Sequence, residues 1–152
     1  MKNTKLETFK VIGISVRTTN ENGQAATDIV ALWGKFMTEG IMDKIPNKID
    51  NAVYSIYTEY EADYTKPYTT ILGCKVSDNS TVPEGMVAIE IKGGNYTEFT
   101  AKGDLTQGVV FNKWTKIWEM DIDRAYTADF EVYGAKAQDQ TKAEVPIFIA
   151  LK

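Results

Sequence analysis

The segment Asp129-Phe130-Glu131-Val132-Tyr133 carries the residues best suited to chemistry. In an extended chain successive side chains alternate between faces. Phe130 and Val132 are therefore expected on one face, against the helices. Asp129, Glu131 and Tyr133 are expected together on the other, toward a cleft. A carboxylate ringed by aromatic side chains suits a lipophilic cation: the acid supplies charge, and each ring face adds about 0.5–2 kcal/mol of cation–π attraction. Alternation alone favours a plainer reading, an exposed acid on the open face of an antiparallel sheet.

The aromatic residues frame the same choice. Tyr54, Tyr57, Tyr60, Tyr64, Tyr68, Tyr96, Trp114, Trp118 and Tyr133 are candidates for a cavity wall. Buried tyrosine hydroxyls need polar partners, and a partly wet aromatic cavity would provide them. Trp114 sits on an apolar helix stripe and reads as core, whereas Trp118, one turn on, can serve both core and cavity. Glu119 reads as solvent-facing. Arg17, Arg124 and the lysines read as surface charges, with Arg124 placed to shape the loop before the Glu131 strand.

Other chemistries find little support. The chain has no histidine, so the commonest general base and metal ligand is missing. Its one cysteine, Cys74, lies in the apolar run Ile71-Leu72-Gly73-Cys74-Lys75-Val76 and reads as a small core residue. No Gly-rich phosphate loop, serine nucleophile motif or metal-spaced carboxylate cluster appears, so no metal and no cofactor are expected.

The elements that must position these residues come in two similar sets. Residues 9–76 and 86–151 each read as strand, helix, strand, strand, with aromatic landmarks in matching places. The first set has a strand from Phe9 to Thr18, then a helix beginning near Ala25. That helix carries Ile29, Leu32, Trp33, Phe36 and Met37 on one face, and Gly40 and Pro46 bracket its end. Strands Val53 to Tyr60 and Tyr68 to Val76 follow. In the first, alternation puts Tyr57 on one face and Tyr54 and Tyr60 on the other. The second set opens at Met86–Ile91, breaks at Gly93-Gly94 as if at a bulge, and resumes at Tyr96. Its helix carries Val110, Trp114, Ile117 and Trp118. The last strands are Ala128–Tyr133 and Val145–Leu151, where Pro146 suggests a strand start or an edge. The expected fold is α+β: a duplicated module forming an antiparallel sheet, two helices on one face, and a cleft between the halves.

The 152 residues suit a single domain, 1–152, with 43% hydrophobic and 25% charged residues. A net charge of -4 with scattered lysines argues against direct nucleic-acid binding. The N-terminus lacks a signal-like apolar core and no run is long enough to span a bilayer, so a cytoplasmic protein without membrane contact is expected.

Several stretches together resemble the gyrase-inhibitor-like (GyrI-like) small-molecule-binding family, also described as the AraC-type or integron-associated effector-binding domain. They are Phe9-Lys10-Val11-Ile12-Gly13, Leu32-Trp33, Ile45-Pro46-Asn47, Tyr57-Thr58-Glu59-Tyr60-Glu61, Gly94-Asn95-Tyr96-Thr97-Glu98-Phe99, Trp114-Thr115-Lys116-Ile117-Trp118, Arg124-Ala125-Tyr126 and Asp129-Phe130-Glu131-Val132-Tyr133. The resemblance covers nearly the whole chain in order and implies a pseudo-twofold fold with a ligand cleft at its centre. It implies that Glu131 points into the pocket and pairs with cationic, lipophilic ligands. Tyr133, Trp118, Tyr57, Tyr60 and Tyr96 would form the wall. Many relatives carry an added helix-turn-helix domain, for which this chain is expected to have no room. The leading expectation is a stand-alone binding domain for drug sensing or sequestration, with a separate transcription regulator as a candidate partner. The alternatives are hydrolysis of cyclopropane-containing alkylating compounds, with Glu131 as base and Tyr133 or Trp118 positioning the electrophile, and modulation of a topoisomerase or regulator through protein contact. Oligomeric state is left open.

Overall fold

The computed structural model describes residues 2–152. Eight strands and three helices follow in the order β1 (Lys2–Leu6), β2 (Phe9–Thr18), α1 (Gln24–Thr38), the single turn α2 (Ile41–Lys44), β3 (Val53–Thr58) and β4 (Tyr68–Val76). The second half contributes β5 (Val87–Ile91), β6 (Gly94–Gly103), α3 (Val109–Trp118), β7 (Ala128–Tyr133) and β8 (Ala143–Ala150). Every pairing is antiparallel, in the order β1-β6-β8-β7-β3-β4-β2-β5. The class is α+β, with α1 and α3 on one face of one sheet.

Exchanging the halves (β1 for β5, β2 for β6, β3 for β7, β4 for β8) reproduces the same strand order in reverse. The approximate twofold therefore passes between β3 and β7. The first half begins with one strand more than its sequence shows, because the polar Lys2–Leu6 segment is the counterpart of β5. These two strands are exchanged: β1 pairs with β6 of the second half, and β5 with β2 of the first.

The exchange forces the sheet to roll. In the strand order β1 and β2 are six spacings apart, about 29 Å in a flat sheet. Only Glu7 and Thr8 join them, a link that spans about 11 Å at most. Lys92 and Gly93 likewise join β5 to β6, and the Gly93 N–H donates to Thr8 Oγ1 at 2.9 Å. The expected bulge at Gly93-Gly94 is thus the step by which the chain crosses from one margin of the sheet to the other.

Rolling creates an inside and an outside. Val11, Ile56, Ile71, Ile91, Tyr96 and Phe130 meet inside. Outside, α1, α2 and the residue after α2 pack Leu32, Phe36, Ile41 and Ile45 on Ile12, Ile14, Leu72 and Cys74. Helix α3 packs Trp114 and Ile117 on Phe99, Ala101, Val145, Ile147 and Ile149.

Three sequence expectations change here. Phe130 and Val132 do not meet the helices; they point into the roll, and the face bearing Glu131 is the helix-covered one. A sheet with a closed interior buries both faces, so alternation separates inside from outside rather than core from solvent. Met37 is 70% exposed instead of joining the α1 stripe, since it lies about 100° round the helix from Phe36. Pro146 sits within β8, an internal strand, but the β7–β8 ladder contains only Phe130↔Phe148 and Glu131↔Ile147. Pro146 lies just past its end, where a missing N–H costs little.

Candidate functional site

At the twofold, β3 and β7 pair with Val53 opposite Tyr133, Ser55 opposite Glu131 and Tyr57 opposite Asp129. These side chains point outward into the gap between α1 and α3. Glu131 is 2% exposed. Its Oε2 accepts hydrogen bonds from the Tyr57 hydroxyl at 2.7 Å and the Trp114 indole N–H at 2.6 Å. Its Oε1 accepts one from the Tyr133 hydroxyl at 2.6 Å. Among the described residues no lysine or arginine nitrogen lies within 4.0 Å of it.

Burial raises the pKa of Glu131 above the ordinary 4.5, and the bonds from Tyr133, Tyr57 and Trp114 oppose the rise. Burial, and then the charge of Glu131, push Tyr57 and Tyr133 well above the usual phenol range. Both phenols therefore stay protonated and donate. An ionised carboxylate offers about four lone-pair positions; three are used here, and one on Oε1 remains.

Asp129, two residues away, is also fully buried but is neutralised. It receives Arg124 Nη2 at 2.7 Å, the Tyr60 hydroxyl at 2.6 Å and the Ala150 N–H at 2.8 Å. Arg124 is 5% exposed, with its guanidinium 4.2 Å from the centre of the Tyr126 ring. It is a buried ion-pair member rather than the surface charge its sequence context suggested.

A cavity of about 560 Å³ opens over this centre, with Glu131 and Arg124 in its lining. Trp33 of α1 meets Tyr133 edge-on at 5.0 Å, and Tyr57 meets Trp114 edge-on at 5.5 Å. Tyr64 and Trp118 stack at 5.2 Å with 5° between their planes. Phe111 and Val30 stand exposed at the mouth, one from each helix.

The structure brings Glu131, Tyr133, Trp118, Tyr57 and Tyr60 into this one lining and leaves Tyr96 out. Tyr96 belongs to the interior cluster, and its hydroxyl donates to the Lys92 carbonyl at 2.9 Å. Strand β6 is separated from β7 by β8, and the pleat turns Tyr96 inward. Tyr60 reaches the cleft against simple alternation, because Glu59 adopts a left-handed backbone (φ 51) that reverses the face. Trp114, expected in the core, is both core and lining. Trp33, Tyr64 and Tyr68 also line the cavity. Tyr64 lies in the loop before β4, where no periodicity could announce it.

The model for the integron-associated effector binding proteins matches residues 4–151. The chain belongs to this family. An integron cassette protein from the mobile metagenome of Vibrio cholerae is 31% identical, with a TM-score of 0.75 over 99% of this chain and 95% of that one. YobU of Bacillus subtilis (strain 168), named as a transcriptional regulator, is 26% identical over 98% of this chain and 96% of its own. SAV2435, solved bound to tetraphenylphosphonium, shares the fold with a TM-score of 0.81 over 99% of this chain and 93% of that one, at 17% identity. Family membership makes small-molecule effector binding the class of function. Among the described residues no helix is long and apolar enough to cross a membrane.

Proposed function

We propose that the cleft between α1 and α3 binds lipophilic cations, with Glu131 as their counter-charge. The observation that carries this reading is a buried carboxylate in an aromatic cavity with, among the described residues, no lysine or arginine nitrogen within 4.0 Å of it. The contrast with Asp129 is direct: where a buried acid serves structure, this chain supplies Arg124. At Glu131 it supplies only Tyr57, Trp114 and Tyr133, which hold the carboxylate in place without cancelling its charge. A delocalised aromatic cation sheds its water cheaply, gains ring contacts from Trp33, Trp118, Tyr60 and Tyr64, and removes the cost of a lone buried charge. The tetraphenylphosphonium bound to SAV2435 is a ligand of this chemistry. Such a domain works in the cytoplasm as a sensor or scavenger of toxic cations, alone or with a separate regulator.

Titration calorimetry with tetraphenylphosphonium and with the neutral triphenylphosphine oxide tests the reading. Two unit charges about 5 Å apart at an effective dielectric of ~20 attract by about 3 kcal/mol, on the order of a hundredfold in affinity. Glu131→Gln is expected to weaken the cation by roughly that factor and to leave the neutral compound within about threefold. Equal loss for both ligands would mean that the carboxylate supports the cleft's shape and does not select charge.

A further inference from the structure

A second cavity, of about 700 Å³, opens at one mouth of the rolled sheet, on the opposite side of β3 and β7 from the cleft. Its wall includes Phe9, Tyr54, Phe130 and Phe148. Phe130 stacks on Phe148 at 4.9 Å between centroids, and Phe9 meets Phe130 edge-on at 5.3 Å. Strand β7 thus serves two hollows by alternation, with Phe130 and Val132 facing this one, and Glu131 and Tyr133 facing the other.

Among the charged residues that line this cavity, Lys75 is the one that the strand pleat directs inward. On β4 the pleat that points Ile71 inward also points Lys75 inward, directly opposite the buried Val11. Lys75 is half-buried, and its ammonium lies 5.1 Å from the centre of the Phe9 ring. Among the described residues no carboxylate oxygen lies within 4.0 Å of it. Lys5 and Lys10 also border the opening, and its one acid, Glu7, is exposed. A cation over an aromatic hollow reverses the charge pattern of the cleft.

We infer that the mouth of the roll is a second binding site, for an amphipathic anion with an aromatic body and one carboxylate or sulfonate group. The rings bury the body, and the Lys75 ammonium receives the acid group. The volume falls in the range of drug-sized pockets, and barrel mouths are places where such pockets form. The site stands apart from the cation cleft and does not depend on it.

Anilinonaphthalene sulfonate is a suitable probe, and phenylnaphthylamine is its counterpart without the sulfonate. The anion should bind at one site, with nuclear Overhauser contacts from its rings to the Val132 methyls and the Phe148 ring. Tetraphenylphosphonium, itself followed by calorimetry, should not displace it. Lys75→Gln should weaken the anion about tenfold while leaving phenylnaphthylamine and tetraphenylphosphonium unchanged. Contacts to Trp33 or Trp118, competition by tetraphenylphosphonium, equal affinity for the Lys75→Gln protein, or no binding would each overturn the inference. None of those results touches the cation cleft, whose own titration stands or falls separately.

Discussion

Glu131 and Asp129 share a strand face two residues apart, yet their surroundings prepare them for different ends. Asp129 has its arginine, whereas Glu131 has only neutral donors. Burial raises the Glu131 pKa above 4.5, so the folded protein holds that proton to higher pH than the unfolded chain does. Stability from this group is therefore full in acid and declines as pH rises through the folded pKa. Cation binding runs the other way, because it needs the ionised form: affinity should grow with pH across the same window, with proton release on binding. Thermal unfolding and calorimetry from mildly acidic to neutral pH check both trends. In Glu131→Gln both should flatten, and the unliganded variant should melt no lower than wild type at neutral pH. Its amide oxygen can still accept from Trp114 and Tyr57, while its NH₂ donates to the Tyr133 hydroxyl. A wild-type affinity that stays level across that range would mean that Glu131 does not titrate against the ligand. That Glu131 and Tyr133 share a face was legible from alternation because both sit in one regular strand, but alternation did not show that the helices cover that face. Arg124 was not, since its partner is fixed only when the loop 119–127 folds back on β7.

Helices and strands were read well where their apolar period was strong, as at Leu32 and Phe36 or Trp114 and Ile117. They were misread where the backbone departs from regularity. Glu59 shows this: one left-handed residue moves Tyr60 to the other face, and glutamate, unlike asparagine or aspartate, carries no marked signature for that conformation. The paired glycines Gly13 and Gly73 show a second limit. They stand opposite each other where β2 and β4 approach closely. A Cβ on Gly13 would lie 2.0 Å from the Leu72 carbonyl oxygen, and one on Gly73 would lie 2.3 Å from that of Ile12. Both obstacles are backbone in the centre of a ladder and cannot step aside. Gly13→Ala should therefore cost on the order of 3 kcal/mol or more, or prevent folding. Gly34→Ala on the open face of α1, where an added Cβ meets nothing within 4 Å, should stabilise by roughly 0.5–1 kcal/mol. Urea unfolding of the two variants gives the comparison. A mild effect at Gly13 would show that the two strands can separate at little cost.

The duplication was visible in sequence, but the way its halves join was not. Lys2–Leu6 offers a single inward apolar residue, Leu6, on a margin strand, so its pattern is too short and too polar to announce a strand. Its exchange with β5 decides how the whole molecule holds together. Each half lends its opening strand to the other, and the cleft at the seam needs Tyr57 from one half to hold Glu131 from the other. Cutting the chain in the linker, to give 1–84 and 85–152, would leave β6 without β1 and β2 without β5. It would also leave the two seam strands, β3 and β7, with one side open. Unpaired strand margins with apolar flanks do not persist as monomers; they associate or unfold. Each fragment alone should therefore show no cooperative melting as a monomer. An equimolar mixture should recover a single transition and tetraphenylphosphonium binding, because only together do the fragments close the roll and bring the tyrosine to the carboxylate. If either fragment melted cooperatively as a monomer, the exchanged strands would be accessories to two self-sufficient halves, and the cleft would be an interface between domains rather than the centre of one fold.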